Sequence, residues 1–132
     1  LNRQKAEGKN TKLKNMQTYR ELIVWQKAMS LVLKLYIETK SWPKEEVYGL
    51  TSQIRRCAVS VPSNIAEGYG RNSTGDYIRF LQIASGSLYE FQTQLEISFH
   101  LNYLSEERYV EINSLSIEIE KMLSSLISKI RK

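Results

Sequence analysis

Residues that usually do chemistry are scarce in this 132-residue chain: cysteine and histidine occur once each, as Cys57 and His100, and proline twice, as Pro43 and Pro62. A single cysteine excludes an internal disulfide and agrees with a reducing compartment. A single histidine excludes the paired Glu-x-x-His motifs of di-metal bundles, since His100 follows Glu96 by four residues and has no second histidine to complete a site. Gly68, Gly70 and Gly75 do not follow a strand and lack the lysine of a phosphate-binding loop. Cys57 and His100 could form a nucleophile–base pair, but Cys57 falls on an apolar stripe, where a small hydrophobe packs. A nuclease built on Glu67 and a divalent ion would rest on one carboxylate. No catalytic residue, metal or cofactor is therefore expected. Long hydrophobic runs are also missing: none approaches the roughly 18 residues that span a bilayer, so a cytoplasmic protein is expected.

The net charge of +5 lies at one end. Residues 1–20 contain Arg3, Lys5, Lys9, Lys12, Lys14 and Arg20 against Glu7 alone, and the other 112 residues balance 13 basic with 13 acidic side chains. We expect residues 1–18 to be a flexible basic arm, with Met16 a candidate natural start, and residues 19–132 to form the folded domain. Basic composition alone is then a poor argument for nucleic-acid binding by the domain.

From Glu21 onward, apolar residues recur at steps of three and four, the period of amphipathic helices. A first helix is expected over about 21–39, with Trp25, Ala28, Met29, Val32, Leu35 and Tyr36 inward, stopped by Ser41-Trp42-Pro43. The second, about 50–67, points Leu50, Ile54, Cys57, Ala58, Val61 and Ile65 to the core. The third opens at Ser73 with Asp76 three residues on and runs to about Leu101, carrying Tyr77, Phe80, Leu81, Ala84, Leu88, Phe91, Leu95 and Phe99. The fourth follows Ser105, with Ile112, Leu115, Ile119, Met122, Leu126 and Ile130 on one side. Short connections between such helices predict an all-α, antiparallel up-down-up-down four-helix bundle. Ile83, Tyr89, Ile97 and Ile117 lie off these stripes and predict a second buried surface through self-association.

The stretch SVPSNIAEGYGR, residues 60–71, interrupts the pattern. Pro62 lacks an N–H and predicts a kink in the second helix. Asn64 and Glu67 are placed to recap a restarted helix, and Gly68 with Gly70 to end it in left-handed geometry. Gln53, Arg56, Ser60, Asn64 and Glu67 form a polar set beside the core stripe. If it faces Ser87, Glu90 and Gln94 of the third helix, Arg56 pairs with Glu90 or Glu67 in an orientation-fixing network.

Three stretches, YGLTSQIRRCAVSVPSNIAEGYGR (48–71), RFLQIASGSLYEFQTQL (79–95) and ELIVWQKAMSLV (21–32), together resemble the four-helix-bundle proteins encoded in intervening sequences of bacterial 23S rRNA genes. The resemblance covers about residues 19–104. Cys57 stands where alanine is more usual and Gln92 where glutamate is frequent. The resemblance implies an all-α bundle assembled as a ring-shaped homopentamer. It is similar also to the accessory variability determinant of diversity-generating retroelements, which partners a reverse transcriptase and nucleic acid.

The function this implies is a non-catalytic accessory role beside ribosomal RNA, with RNA or DNA and a nucleic-acid-processing protein as partners. Arg71 and Arg79 are the leading phosphate contacts, with Arg55 added, and Tyr69 a candidate to stack on an unpaired base. In the competing reading Arg55 and Arg79 are solvated helix charges and Tyr69 packs over the turn. A protein-binding oligomeric scaffold without nucleic-acid contact is the alternative function.

Overall fold

The three- and four-residue spacing is realised as four helices in the computed structural model, which describes residues 18–132. They are α1 (Ile23–Thr39), α2 (Leu50–Tyr69), α3 (Thr74–His100) and α4 (Glu106–Arg131), with single 3-10 turns at Tyr19–Glu21 and Lys44–Glu46. No strand occurs among the described residues. The expected basic arm lies outside them except for Thr18, whose hydroxyl accepts from the Arg20 N–H at 3.1 Å and caps the first turn.

The caps explain where the helices begin. Ser73 and Ser105 have extended backbone and accept, through Oγ, from the N–H groups of Asp76 (3.1 Å) and Arg108 (3.2 Å). Helix α2 starts after Gly49, which has no side chain to cap with. Glu46 supplies the acceptor instead, its carboxylate taking the Leu50 N–H at 3.0 Å. Helix α3 ends at His100, and the chain turns away at Asn102, the one non-glycine residue with positive φ (64°) among those described. There the Asn102 N–H reaches the Phe99 carbonyl (2.9 Å) and the Tyr103 N–H the Ser98 carbonyl (3.0 Å), which satisfies the last turn.

Contacts between neighbours set the order. Lys27 meets Glu118 and Lys34 meets Glu111, so α4 runs opposite to α1. Ser60 meets Ser87 while Gly68 packs on Tyr77, and Gln92 meets Ser116 while Phe99 stacks on Tyr109, so α2, α3 and α4 also alternate in direction. The core between them is apolar, with Leu31, Leu35, Ile54, Ile65, Leu81, Leu88, Phe91, Leu95, Ile112, Ile119 and Leu123 fully buried. Each such side chain contributes roughly 1.5–3 kcal/mol, whereas an exposed ion pair contributes about 0–1, so the core holds the bundle and the pairs orient it.

The inward face of α1 is rotated from expectation. Val24, Ala28, Leu31, Leu35 and Thr39 are buried, while Trp25, Met29 and Val32 line a groove against α2 together with Val59 and Pro62. Apolar residues cover more than one side of α1, and the sequence pattern alone does not say which side meets the core. Ile83, Tyr89, Ile97 and Ile117 do point outward, being 38–50% exposed.

Candidate nucleic-acid interface

Residues 60–69 are the C-terminal half of α2, and Gly70 and Arg71 lie in the turn that leads to α3. Helix α2 continues through the buried Pro62 to Tyr69, and no second helix start occurs at Asn64. The Asn64 amide instead donates to the Ser60 carbonyl (2.8 Å) and hydroxyl (2.9 Å), and the Ser60 hydroxyl meets that of Ser87 on α3 at 2.8 Å. The facing of the two polar stripes is therefore real, but it runs through serine and asparagine rather than ions. Glu67 does not cap; its carboxylate accepts from Arg71 at 2.7 Å, one turn on, with both side chains largely exposed. Gln53, Arg56 and Glu90 are exposed, and Arg56 pairs with neither Glu67 nor Glu90. Long, well-hydrated side chains at this edge of the helix pair gain little from being fixed there.

The glycines also serve a different purpose. No glycine among the described residues has positive φ, and Gly70 sits at φ −82°. Gly68 is buried where α2 crosses α3, and a Cβ there would lie 2.8 Å from the Phe80 Cβ and 3.2 Å from the Tyr77 carbonyl oxygen. Close approach of the helices is what position 68 requires.

Arg71, from the turn after α2, and Arg79, from α3, come together onto one ring. Their guanidinium carbons lie 4.7 and 5.3 Å from the Phe80 centroid. Each also has a carboxylate partner, Arg71 with Glu67 at 2.7 Å and Arg79 with Asp76 at 3.5 Å, which lowers its pull on phosphate. Tyr69 does not offer a stacking face: it is 7% exposed, its ring edge-on to Tyr77 at 6.0 Å. This is the packing role of the competing reading.

Arg55 lies at the other end of the bundle, in a setting the sequence did not disclose. Its Nε donates to the Thr39 hydroxyl at 2.8 Å, an Nη donates to the Tyr36 carbonyl at 3.5 Å, and its guanidinium covers the Tyr36 ring at 4.5 Å. Thr39 is itself fixed by donating to the Leu35 carbonyl at 2.9 Å. A guanidinium has five N–H donors, so several remain after these two bonds. Around it opens a cleft of about 420 Å³ between the end of α1, the connecting turn and the start of α2. Lys40, Lys44, Arg55 and Arg56 line this cleft, no carboxylate does, and none of the four forms an ion pair among the described residues.

The corner that carries the cleft is braced. The Trp42 indole N–H donates to Glu38 (3.3 Å), whose other oxygen accepts from Arg108 Nε (3.1 Å). Tyr103 donates its hydroxyl to Glu46 at 2.8 Å. The Leu50 N–H first, and then this hydroxyl, hold the Glu46 carboxyl below the usual carboxylate range. Both carboxylates are thus committed away from the cleft, which leaves its four cations unopposed.

The chain matches the family model described as 23S rRNA-intervening sequence protein over residues 20–125. It belongs to that family. Among solved structures, this family member is similar to a crystallised protein of unknown function from Bacteroides thetaiotaomicron, assigned to the S23 ribosomal protein family. The identity is 28% and the TM-score 0.74, covering 80% of this chain and 96% of that one. No curated protein matches.

In this intervening-sequence protein, Gln92 takes up the position where the family resemblance leads one to expect glutamate. Its amide donates to the Ser116 hydroxyl (3.2 Å) and to Glu120 (3.1 Å), a bond that a carboxylate facing Glu120 would not make. Burial first, and then Glu90, push the Cys57 thiol upward. His100 sits in the last turn of α3 and pairs with Glu96 at 3.5 Å, so Cys57 and His100 are not joined. No cluster of three or more metal-ligating side chains lies among the described residues, and no helix among them is long and apolar enough to cross a membrane.

Proposed function

We propose that the protein is a non-catalytic, nucleic-acid-associated accessory factor that contacts ribosomal RNA or a partner that processes RNA or DNA in the cytoplasm. One observation carries the reading. Lys27, Lys34, Arg71, Arg79 and Arg108 are tied to carboxylates, and Lys121, Lys129, Arg131 and Lys132 follow α4 to its end, where the helix dipole favours cations. Lys40, Lys44, Arg55 and Arg56, by contrast, converge from the end of α1, the connecting turn and α2 on one cleft with no carboxylate in its lining. A polyanion that meets unpaired cations releases counterions without breaking any internal pair, so association is favoured there over the rest of a net-neutral bundle.

The assembly expected of the family strengthens this reading. Ile83 and Ile97 on α3, with Val110 and Ile117 on α4, are 38–52% exposed and offer an apolar surface for a second copy. A ring would present the cleft once per protomer, and linked sites gain by effective concentration without new contacts. A scaffold with no nucleic-acid contact would use the same apolar surface but leave the four cations without a role.

Photocrosslinking of the full chain to a structured RNA, followed by peptide mapping, tests the proposal. Crosslinks between residues 36 and 56 are expected. Crosslinks confined to residues 1–17, or none above a neutral-protein background, would overturn it.

A further inference from the structure

The cleft has features that a generic basic patch does not need. Its volume of about 420 Å³ suits one nucleotide and is too small for a duplex. Its lining is two-sided, with Trp42, Pro43 and Val47 offering apolar atoms beside Lys40, Lys44, Arg55 and Arg56. Thr51, also in the lining, is 7% exposed and keeps a buried hydroxyl with no hydrogen-bond partner, an orphan that a ligand oxygen would satisfy. Tyr48, next in the chain to the lining Val47, is 96% exposed and makes no hydrogen bond or ring contact among the described residues. A tyrosine left wholly in water between two helices contributes nothing to the fold.

We infer that this cleft binds a single unpaired nucleotide of an RNA strand, with the phosphate among Arg55, Arg56, Lys40 and Lys44 and an adjacent base stacked on Tyr48. The inference rests on the nucleic-acid reading above and narrows it to single strands. Arg55 is the fixed element, because Thr39 and Tyr36 already orient its guanidinium and leave N–H groups free for phosphate oxygens. Arg56, Lys40 and Lys44 add charge without geometric constraint. Tyr48 supplies sequence-tolerant stacking, since every base has a π-face. A duplex keeps its bases stacked inward and presents none to Tyr48. An acidic peptide would satisfy the cations but has no base to place on the ring.

The test uses the full chain and its Tyr48→Ala, Tyr48→Phe and Arg56→Glu variants, titrated by fluorescence anisotropy against a uridine-rich single strand and a duplex of equal length. Nothing in the structure holds Tyr48 or Arg56, so all three variants retain the fold. Tyr48→Ala should weaken single-strand binding by about five-fold or more, while Tyr48→Phe keeps it and duplex binding does not change. Arg56→Glu should weaken both. Polyglutamate of equal charge, added as competitor, should displace the strand poorly. Single-strand binding that is indifferent to Tyr48→Ala and Arg56→Glu would overturn the cleft while leaving the nucleic-acid reading standing. Competition by polyglutamate as strong as by RNA would make the cleft a site for acidic polymers and overturn the inference. Failure to bind either RNA would overturn both.

Discussion

Replacing Gly68 by alanine reverses the usual effect of that change. In an open helical position alanine is better than glycine by about 1 kcal/mol, because glycine loses more chain freedom on folding. At Gly68 the new methyl would lie 2.8 Å from the Phe80 Cβ, 3.1 Å from Tyr77 Cδ1 and 3.2 Å from the Tyr77 carbonyl. A carbonyl oxygen and a Cβ are fixed by the backbone of α3, so neither can swing aside by a rotamer change. Helices α2 and α3 must separate, and overpacking of this kind costs about 1–3 kcal/mol. The clash exceeds the propensity gain by about 1 kcal/mol, a fall in Tm of roughly 3–5 °C for a domain of this size. Gly86, on the exposed side of α3, is the internal control, since a Cβ there meets nothing within 4 Å. Gly86→Ala should raise stability by about 0.5–1 kcal/mol. Thermal and urea unfolding at one protein concentration compares the two, because self-association makes Tm depend on concentration. A Gly68→Ala protein as stable as Gly86→Ala would refute the close approach as the reason for glycine at position 68.

Asn102→Ala should cost about 1 kcal/mol and Asn102→Gly nearly nothing in urea unfolding, since position 102 needs positive φ. Glu67→Ala should change stability by only about 0.5 kcal/mol, as expected of an exposed i,i+4 pair with Arg71, and a loss above about 1.5 would revive a capping role. Ser60→Ala and Ser87→Ala should be non-additive by roughly 1 kcal/mol in a double-mutant cycle, and additivity would break the α2–α3 hydroxyl contact. Glu46 has its folded-state acidity strengthened, so its stabilisation is present above the ordinary carboxylate range and is lost as pH falls through its lowered value. The wild type should therefore exceed Glu46→Gln in stability at pH 7, and the gap should close on acidification; a gap independent of pH would contradict this.

What the sequence revealed depended on how local each signal was. Ser73 and Ser105 announce helix starts within four residues, and the α3 stripe from Tyr77 to Leu95 is narrow enough to name its buried face. On α1, Trp25, Met29 and Val32 broaden the apolar side, and the pattern places the core face about one residue off. Gly68 carries two meanings, helix stop and close approach, and only the position of α3 decides between them. The cleft is hidden for a third reason. Lys40 and Lys44 are separated from Arg55 and Arg56 by eleven or more residues, and only the α1–α2 hairpin joins them. The signal available is Lys40 and Lys44 flanking the Pro43 corner, with the arginine pair about one and a half turns into the next helix, on the wall an antiparallel return would bring back.

The role of the cleft is tested most directly by the salt dependence of RNA affinity for the full chain and its Lys44→Glu/Arg56→Glu variant. Residues 1–20 contribute the same charge to both proteins, so the difference in the slope of log K against log salt belongs to the cleft. The slope should be shallower in the variant by about 0.7 for every phosphate it no longer neutralises, with weaker binding at every salt concentration. Two superimposable lines would mean that RNA does not enter the α1–α2 cleft.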